Sequence, residues 1–178
     1  MKTYTIEDFE NFEIDEYGIK ICPSGDYSLI KHFGEDCLFG EWCYFGKDCS
    51  FGKSCDFGGH CRFGERCRFG ERCSFGECCS FNSDCSFDRR CSFGYLCHFG
   101  VFCIFASDCN FGDRCEFSGL CEFNSSCSFG RECCFGPECD FGNSCSFNTA
   151  CNFGSLCSFG NFCSLIEVSM KVATLETI

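Results

Sequence analysis

The sequence contains no long hydrophobic run, and no segment approaches the roughly 18 apolar residues that a transmembrane helix needs. It opens with MKTYTIEDFE, which lacks the basic stretch and the apolar core of a secretory signal peptide. We therefore expect a soluble, cytoplasmic protein with no membrane contact. Thiols stay reduced in that compartment, so the 25 cysteines do not by themselves indicate a disulfide framework.

Basic residues are scarce. The chain has 14 Lys and Arg against 26 Asp and Glu, which gives a net charge of -12 and makes nucleic-acid binding an unlikely function. Residues 1–36 hold half of this charge. The main basic cluster is interleaved with Glu65 and Glu71, so we predict salt bridges rather than phosphate binding for its members, which are Arg62, Arg66, Arg68 and Arg72.

Cysteine and phenylalanine are abundant and strictly spaced. Cys recurs every six residues from Cys37 to Cys163, and Phe recurs every six residues from Phe33 to Phe159, at 22 positions each. Within a unit the two are separated by one residue. In an extended segment both side chains then point to the same side, and the residue between them points away. We interpret each unit as a short strand that directs Cys and Phe inward.

Glycine follows Phe in 16 of the 22 units, and most exceptions are Asn or Asp, which tolerate positive φ better than other residues. We therefore predict a left-handed corner at the position after Phe. Strands of constant length that always turn the same way must coil, and three equal sides give about 18 residues per turn. The predicted fold is an all-β, triangular parallel β-helix of about seven coils, stacked about 4.8 Å apart.

When each unit is written starting at its Phe, the pattern Phe-Gly-x-x-Cys-x resembles the hexapeptide motif of left-handed β-helix proteins, with Phe in place of the usual aliphatic residue. The resemblance covers residues 33–165 and implies a left-handed coil, against the right-handed rule for parallel crossovers. The Cys-x-Phe-Gly variant is also similar to uncharacterised repeat proteins associated with bacterial prophages. Left-handed β-helix proteins include acyltransferases and metal-dependent hydratases, so the resemblance leaves the function open.

The repeated Cys side chains are predicted to be structural. Phe is bulky, so a narrow lumen accepts it only if the other inward side chain is compact, and Cys behaves as a small buried hydrophobe. Disulfides between coils are disfavoured because they need a Cβ separation of roughly 3.8 Å and a crossed dihedral. No Cys of the repeat begins the Cys-x-x-Cys pair that zinc sites favour. Cys78 and Cys134 lie outside the repeat and are predicted to face outward.

Different segments are predicted to close the two ends of the prism. Residues 1–32 are assigned to an acidic cap and a degenerate first coil, in which Ile19, Ile21 and later Tyr27 take inward positions. Thr5 with Asp8 three residues on predicts the start of a short helix. Residues 33–165 form the repeat. Residues 166–178 alternate apolar and polar side chains, as a terminal strand that closes the prism or pairs with a second subunit would.

One outward surface of the repeat is apolar. Most outward positions are polar, but those between residues 95 and 106 are largely apolar or aromatic, and Leu120 lies one coil beyond Phe102. Contiguous exposed apolar patches usually mark a contact. The predicted interface consists of Tyr95, Leu96, His98, Val101, Phe102, Ile104 and Leu120. Its partner is either another protein or further copies of the chain in a dimer or trimer.

The favoured function is a non-enzymatic structural or interaction protein, without cofactor or metal, that presents a rigid surface to its partner. A phage-encoded inhibitor of a host protein is one version of it. The first alternative is an acidic mimic of duplex DNA that blocks a DNA-binding enzyme. The second is a trimeric enzyme, either acyltransferase-like or metal-dependent. The three histidines, His32, His60 and His98, are expected on three different sides, so such an enzyme would have to gather copies of one of them.

Overall fold

The computed structural model describes residues 1–166, which form a parallel β-solenoid with almost no helix. The helix α1 spans Ile6–Glu10 and starts at the N-cap Thr5, as the sequence predicts. The Thr5 hydroxyl accepts from the Asp8 N–H, and the Asp8 carboxylate accepts from the Thr5 N–H, which completes a capping box. The helix therefore has its first-turn donors partly satisfied without help from the repeats.

The remaining elements are short strands at a nearly constant interval. They are β1 Lys20–Cys22, β2 His32–Phe33, β3 Cys37–Phe39, β4 Tyr44–Phe45, β5 Ser50–Phe51, β6 Asp56–Phe57, β7 Arg62–Phe63, β8 Arg68–Phe69, β9 Ser74–Phe75, β10 Ser80–Phe81, β11 Ser86–Phe87, β12 Ser92–Phe93, β13 His98–Phe99, β14 Ile104–Phe105, β15 Asn110–Phe111, β16 Glu116–Phe117, β17 Glu122–Phe123, β18 Ser128–Phe129, β19 Cys134–Phe135, β20 Asp140–Phe141, β21 Ser146–Phe147, β22 Asn152–Phe153, β23 Ser158–Phe159 and β24 Ser164–Leu165.

These strands form three parallel sheets. Each strand is hydrogen-bonded to the strand three places further along the chain, except that β1 pairs with β3. The sheets have nine strands (β1 to β24), eight strands (β2 to β23) and seven strands (β4 to β22). In the repeat the partner lies 18 residues away; Phe87, for example, is opposite Phe105. Three walls and about eight coils result, and they include the degenerate segment before the repeat, where β1 pairs with β3. The left hand of the coil stays a prediction from the resemblance.

The lumen is filled by the Phe side chains, as predicted. Phe105 stacks on Phe87 and on Phe123, each at 4.8 Å between ring centroids. It also meets Phe99 and Phe111 of the neighbouring walls edge-on, at 5.1 and 5.0 Å. Both arrangements suit the quadrupole of the ring. The same pattern recurs along the prism, so the core is a continuous array of aromatic rings in three columns.

The repeated Cys side chains all carry free thiols, and those from Cys37 to Cys151 are buried, which confirms their structural assignment; Cys157 and Cys163 in the last coil are half-buried. From Cys55 onward each thiol also donates to a backbone carbonyl 21 residues earlier, at the corner of the preceding coil; the distance from Cys67 Sγ to Gly46 O is 3.4 Å. The sequence analysis did not anticipate this contact. Cys is therefore both compact enough for the lumen and able to donate to a corner carbonyl.

The prediction of a left-handed corner at the position after Phe is wrong. Positive φ occurs instead at the residue before each Cys, at 22 non-glycine residues with φ between 55° and 65°. The glycine after Phe has a different role. A Cβ added to Gly52 would lie 2.7 Å from the carbonyl carbon of Gly34 in the preceding coil. Glycine is favoured there because the coils approach closely, rather than because of its φ.

The register of the first coil differs in part from the prediction. Tyr27 is buried in the Phe column, as expected, and stacks on Phe45. The assignment of Ile19 and Ile21 to inward positions is wrong, because Cys22 pairs with Phe39 and Ile21 then faces outward opposite Leu38. This pairing spans 17 residues instead of 18, so each inward position shifts by one. Cys22 is the side chain that fills the lumen there.

The described residues end at Ile166, shortly after the last repeat. The strand β24 is the final described strand, and Ile166 follows it as an exposed residue. The terminal strand predicted for residues 166–178 otherwise lies outside the described residues.

Candidate functional site

The seven residues of the predicted interface lie on one and a half coils and span two corners. Tyr95 and Leu96 form the corner between β12 and β13, and His98 is the outward residue of β13. Val101 and Phe102 form the next corner, before β14. Ile104 is the outward residue of β14, and Leu120 occupies the same corner position as Phe102 one coil later. The seven side chains therefore do not share one flat face.

Phe102 and Leu120 form the apolar centre of this region. Their side chains project from successive left-handed corner residues and are 50% and 39% exposed. Ile104 on the adjoining wall is 45% exposed. The same corner column carries Asp84 in the coil before and Glu138 in the coil after. The apolar pair is thus bordered by acidic side chains along the axis of the prism. We refer to Phe102, Ile104 and Leu120 as the corner patch.

The other members are less available for an apolar contact. The carboxylate of Glu77 in the preceding coil raises the pKa of Tyr95. His98 Nδ1 lies 3.1 Å from Glu116 Oε2 in the following coil. Leu96 and Val101 are only half-exposed. The structure thus groups the corner patch on one edge and leaves Tyr95 and Leu96 on another.

The sequence analysis missed a second apolar cluster, which lies near the N-terminal end of the repeat. Leu38, Trp42 and Tyr44 are 42%, 59% and 42% exposed and belong to one coil. The Trp42 ring stacks on His60 of the next coil at 4.1 Å between ring centroids. The outward register positions would have identified these residues, as they identified Phe102. The stacking covers one face of Trp42, so the exposed surface is smaller than the sequence suggests.

Cys78 and Cys134, the two Cys residues that were predicted to face outward, do so. Cys134 is exposed on β19, beside a surface groove of about 330 Å³ that His98 and Glu116 also line. Cys78 is half-buried, and partial burial together with the nearby Glu77 raises the pKa of its thiol. A raised pKa lowers the thiolate fraction, which is the nucleophilic form.

The three histidines are held apart. His32 lies on the eight-stranded sheet, where its Nδ1 is 2.8 Å from Ser50 Oγ, and His98 lies on the seven-stranded sheet. His60 occupies a corner between the nine-stranded and seven-stranded sheets. Within residues 1–166 no group of three or more His, Cys, Asp or Glu side chains is placed to hold a metal ion.

Charged side chains on the surface pair between adjacent coils. Arg66 Nε lies 2.7 Å from Asp48 Oδ1, and Arg114 Nε lies 2.9 Å from Glu132 Oε2. Arg89 pairs with Glu71, one coil earlier. For the predicted basic cluster this confirms a salt bridge at Arg66. The other three members have no carboxylate within salt-bridge distance among the described residues, and they are Arg62, Arg68 and Arg72.

Comparison with known proteins gives no relative from which a function could be transferred. No protein-family model, no curated protein and no solved structure matches the chain. In the part of the chain that the structure describes, no helix has the length and apolar character needed to cross a membrane. The side chains of the prism are therefore the only guide to its function.

Proposed function

We propose that this protein is a non-enzymatic, cytoplasmic binding protein whose rigid prism presents the corner patch to the surface of another protein. The observation that carries the proposal is the exposure of Phe102 and Leu120 in successive coils of a surface that is otherwise mostly polar. Bulky apolar side chains that stay exposed side by side favour a contact. Aromatic anchors of this kind contribute strongly to protein interfaces.

The regularity of the scaffold supports a binding role. Every unit keeps the same length, so no long loop rises from the walls to form a deep active-site cleft. The continuous aromatic core holds the corner residues in one conformation, which limits the entropy lost on binding. The resemblance to left-handed hexapeptide-repeat proteins and to prophage-associated repeat proteins favours one version, a phage-encoded inhibitor of a host protein.

The charge pattern gives less support to the DNA-mimic alternative. Mimicry of duplex DNA needs a uniformly negative surface. Here Asp48, Glu71 and Glu132 are each paired with an arginine of an adjacent coil. About a third of the net charge of -12 lies in residues 1–32, outside the repeat, where seven acids face three lysines.

The corner patch can be tested with a double variant, Phe102→Asp with Leu120→Asp. The same corner column already holds Asp84 with φ 62°, so aspartate fits this backbone conformation. The tagged native protein should capture a discrete protein from bacterial lysate, and the double variant should lose it. A matched control, Asn110→Asp with Ser126→Asp, adds the same charge on a different wall and corner and should retain the captured protein. Equal capture by all three proteins would contradict the proposal.

A further inference from the structure

The last coils of the prism differ from the rest in charge. No residue from Phe141 to Ile166 carries a charge, although 22% of the whole chain is charged. A contact between two identical surfaces in a twofold dimer places each side chain near its own copy. In a protein of net charge -12 such a contact brings like charges together at most surfaces. The C-terminal end of the prism avoids this repulsion.

The same end exposes apolar side chains that the interior of the prism buries. Phe147 is 1% exposed, whereas Phe159 of the last coil is 37% exposed. Phe159 stacks on Phe141 in the preceding coil, and within residues 1–166 no ring covers its other face. The corner residues Leu156 and Phe162 are 80% and 89% exposed. This end therefore presents the most exposed large apolar side chains of the described repeat.

Among residues 1–166, no further strand pairs with the strand edges at this end. The strands β22, β23 and β24 are the last members of the three sheets. An edge strand carries a row of backbone donors and acceptors on which another strand can pair. All three walls of the prism end within one coil, so a second prism end could pair with the three edges together.

The opposite end is covered by its own chain. Phe9 of α1 lies edge-on to Phe33 at 5.3 Å, and Tyr4 stacks on Tyr27 at 5.0 Å. This cap is acidic, because residues 1–32 hold seven acids and three lysines. Head-to-tail stacking into a fibre is therefore disfavoured at the N-terminal end.

We propose that the C-terminal end of the prism binds a second copy of this chain, in a twofold dimer that joins the two last coils end to end. Leu156, Phe159 and Phe162 form the apolar centre of the contact. The absence of charge permits two identical ends to meet, and the N-terminal cap limits the assembly to two chains. This contact is separate from the corner patch, so either proposal can fail without the other.

The dimer can be tested by measuring the mass of the full chain by light scattering under reducing conditions. We expect twice the 20.0 kDa of one chain. The variant Leu156→Glu with Phe162→Asp should be monomeric. It should still fold, because the same corner columns already hold Glu138 at φ 58° and Asp108 at φ 65°. The control Asn110→Asp with Ser126→Asp should remain dimeric.

Small-angle X-ray scattering distinguishes an end-to-end dimer from a side-by-side one. Eight coils at about 4.8 Å give a prism roughly 40 Å long, so the native dimer should have a maximum dimension of about 80 Å or more. A dimer that the Leu156→Glu, Phe162→Asp variant does not dissociate, or one of side-by-side shape, overturns the proposal.

A monomeric native protein also overturns it, and hydrogen exchange then identifies what covers the end. Amides of β22, β23 and β24 as protected as those of β13 in such a monomer would show that residues 167–178 of the same chain occupy the end. Loss of the dimer in the Phe102→Asp, Leu120→Asp variant alone would instead assign self-association to the corner patch.

Discussion

Replacing Phe105 with alanine should strongly destabilise the prism. Phe105 is fully buried and contacts two stacked rings and two nearby edge-on rings. Truncation of a buried Phe typically costs 3–5 kcal/mol, and we expect the upper part of this range, about 5 kcal/mol. The estimate is high because each aromatic pair contributes about 0.5–1.5 kcal/mol beyond burial of its area. The three-walled array also leaves the neighbouring rings little freedom to fill the cavity.

Phe102→Ala is the matched control, since the same side chain is removed three residues away at a position that is 50% exposed. Alanine fits the left-handed conformation of that position, as Ala150 shows with φ 61°. A surface substitution of this kind should change stability by about 0.5 kcal/mol or less. Phe105→Leu should give an intermediate loss, and it keeps the comparison usable if the alanine variant does not fold.

The assay is urea unfolding in the presence of a reductant, followed by far-ultraviolet circular dichroism. A loss of about 5 kcal/mol should lower the urea midpoint by roughly 2 M at the slopes usual for small proteins. Hydrogen exchange should quicken first in the coil of Phe105 and in the coils on either side, because a solenoid transmits stability between neighbours. If Phe102→Ala lowered the midpoint as much as Phe105→Ala, the buried column would not be the source of stability.

Three further predictions concern the corners, the thiols and the cap. Gly100→Val should lower the free energy of unfolding by about 1–3 kcal/mol, since even a Cβ at Gly100 would lie 2.6 Å from the backbone nitrogen of Ser83. Ser126→Gly should instead raise the urea midpoint slightly, because glycine adopts the φ of 63° at this corner without strain. In the folded protein Ellman's reagent should label Cys134 rapidly and Cys78 slowly at pH 8, with the rate at Cys78 rising with pH because its pKa is raised; rapid labelling of most thiols would contradict their burial. The hydrogen bond from the Thr5 backbone lowers the pKa of Asp8 below 3.8, so Asp8→Asn should reduce stability at pH 7. The difference in stability from the native protein should vanish as the pH falls through that lowered pKa. A pH-independent difference would exclude this linkage.

The inward assignment of Phe and Cys was predictable because it depends only on the alternation of side chains along an extended chain. Successive side chains of a strand point to opposite faces, so Cys103 and Phe105, which one residue separates, had to share a face. The 18-residue coil followed from the constant unit length. The outward positions of Cys78 and Cys134 followed from the same register.

The candidate site was predictable only in part. The register identified Phe102 and Leu120 as neighbours, because equivalent positions in adjacent coils are always close. The same register makes Glu77 a neighbour of Tyr95 and Glu116 a neighbour of His98, but whether these side chains interact depends on their rotamers, which the sequence does not give. It also did not reveal the open C-terminal end, although the uncharged stretch from Phe141 to Ile166 was a visible signal.

The sequence periodicity did not reveal why glycine is preferred after Phe. The frequency of glycine after Phe indicated a special backbone position, and two physical causes give that signal: positive φ, or close approach of another segment. Only the distance between coils separates them, and at Gly52 the cause is the backbone of Gly34 in the preceding coil. The register shift at Cys22 and the hydrogen bond from the Cys67 thiol to the Gly46 carbonyl likewise depend on contacts between coils. The side chains that face the lumen can be assigned from the sequence, because their direction follows from local chain geometry. The fit of one coil on the next is visible only in the folded chain, because it depends on distances between segments about 18 residues apart.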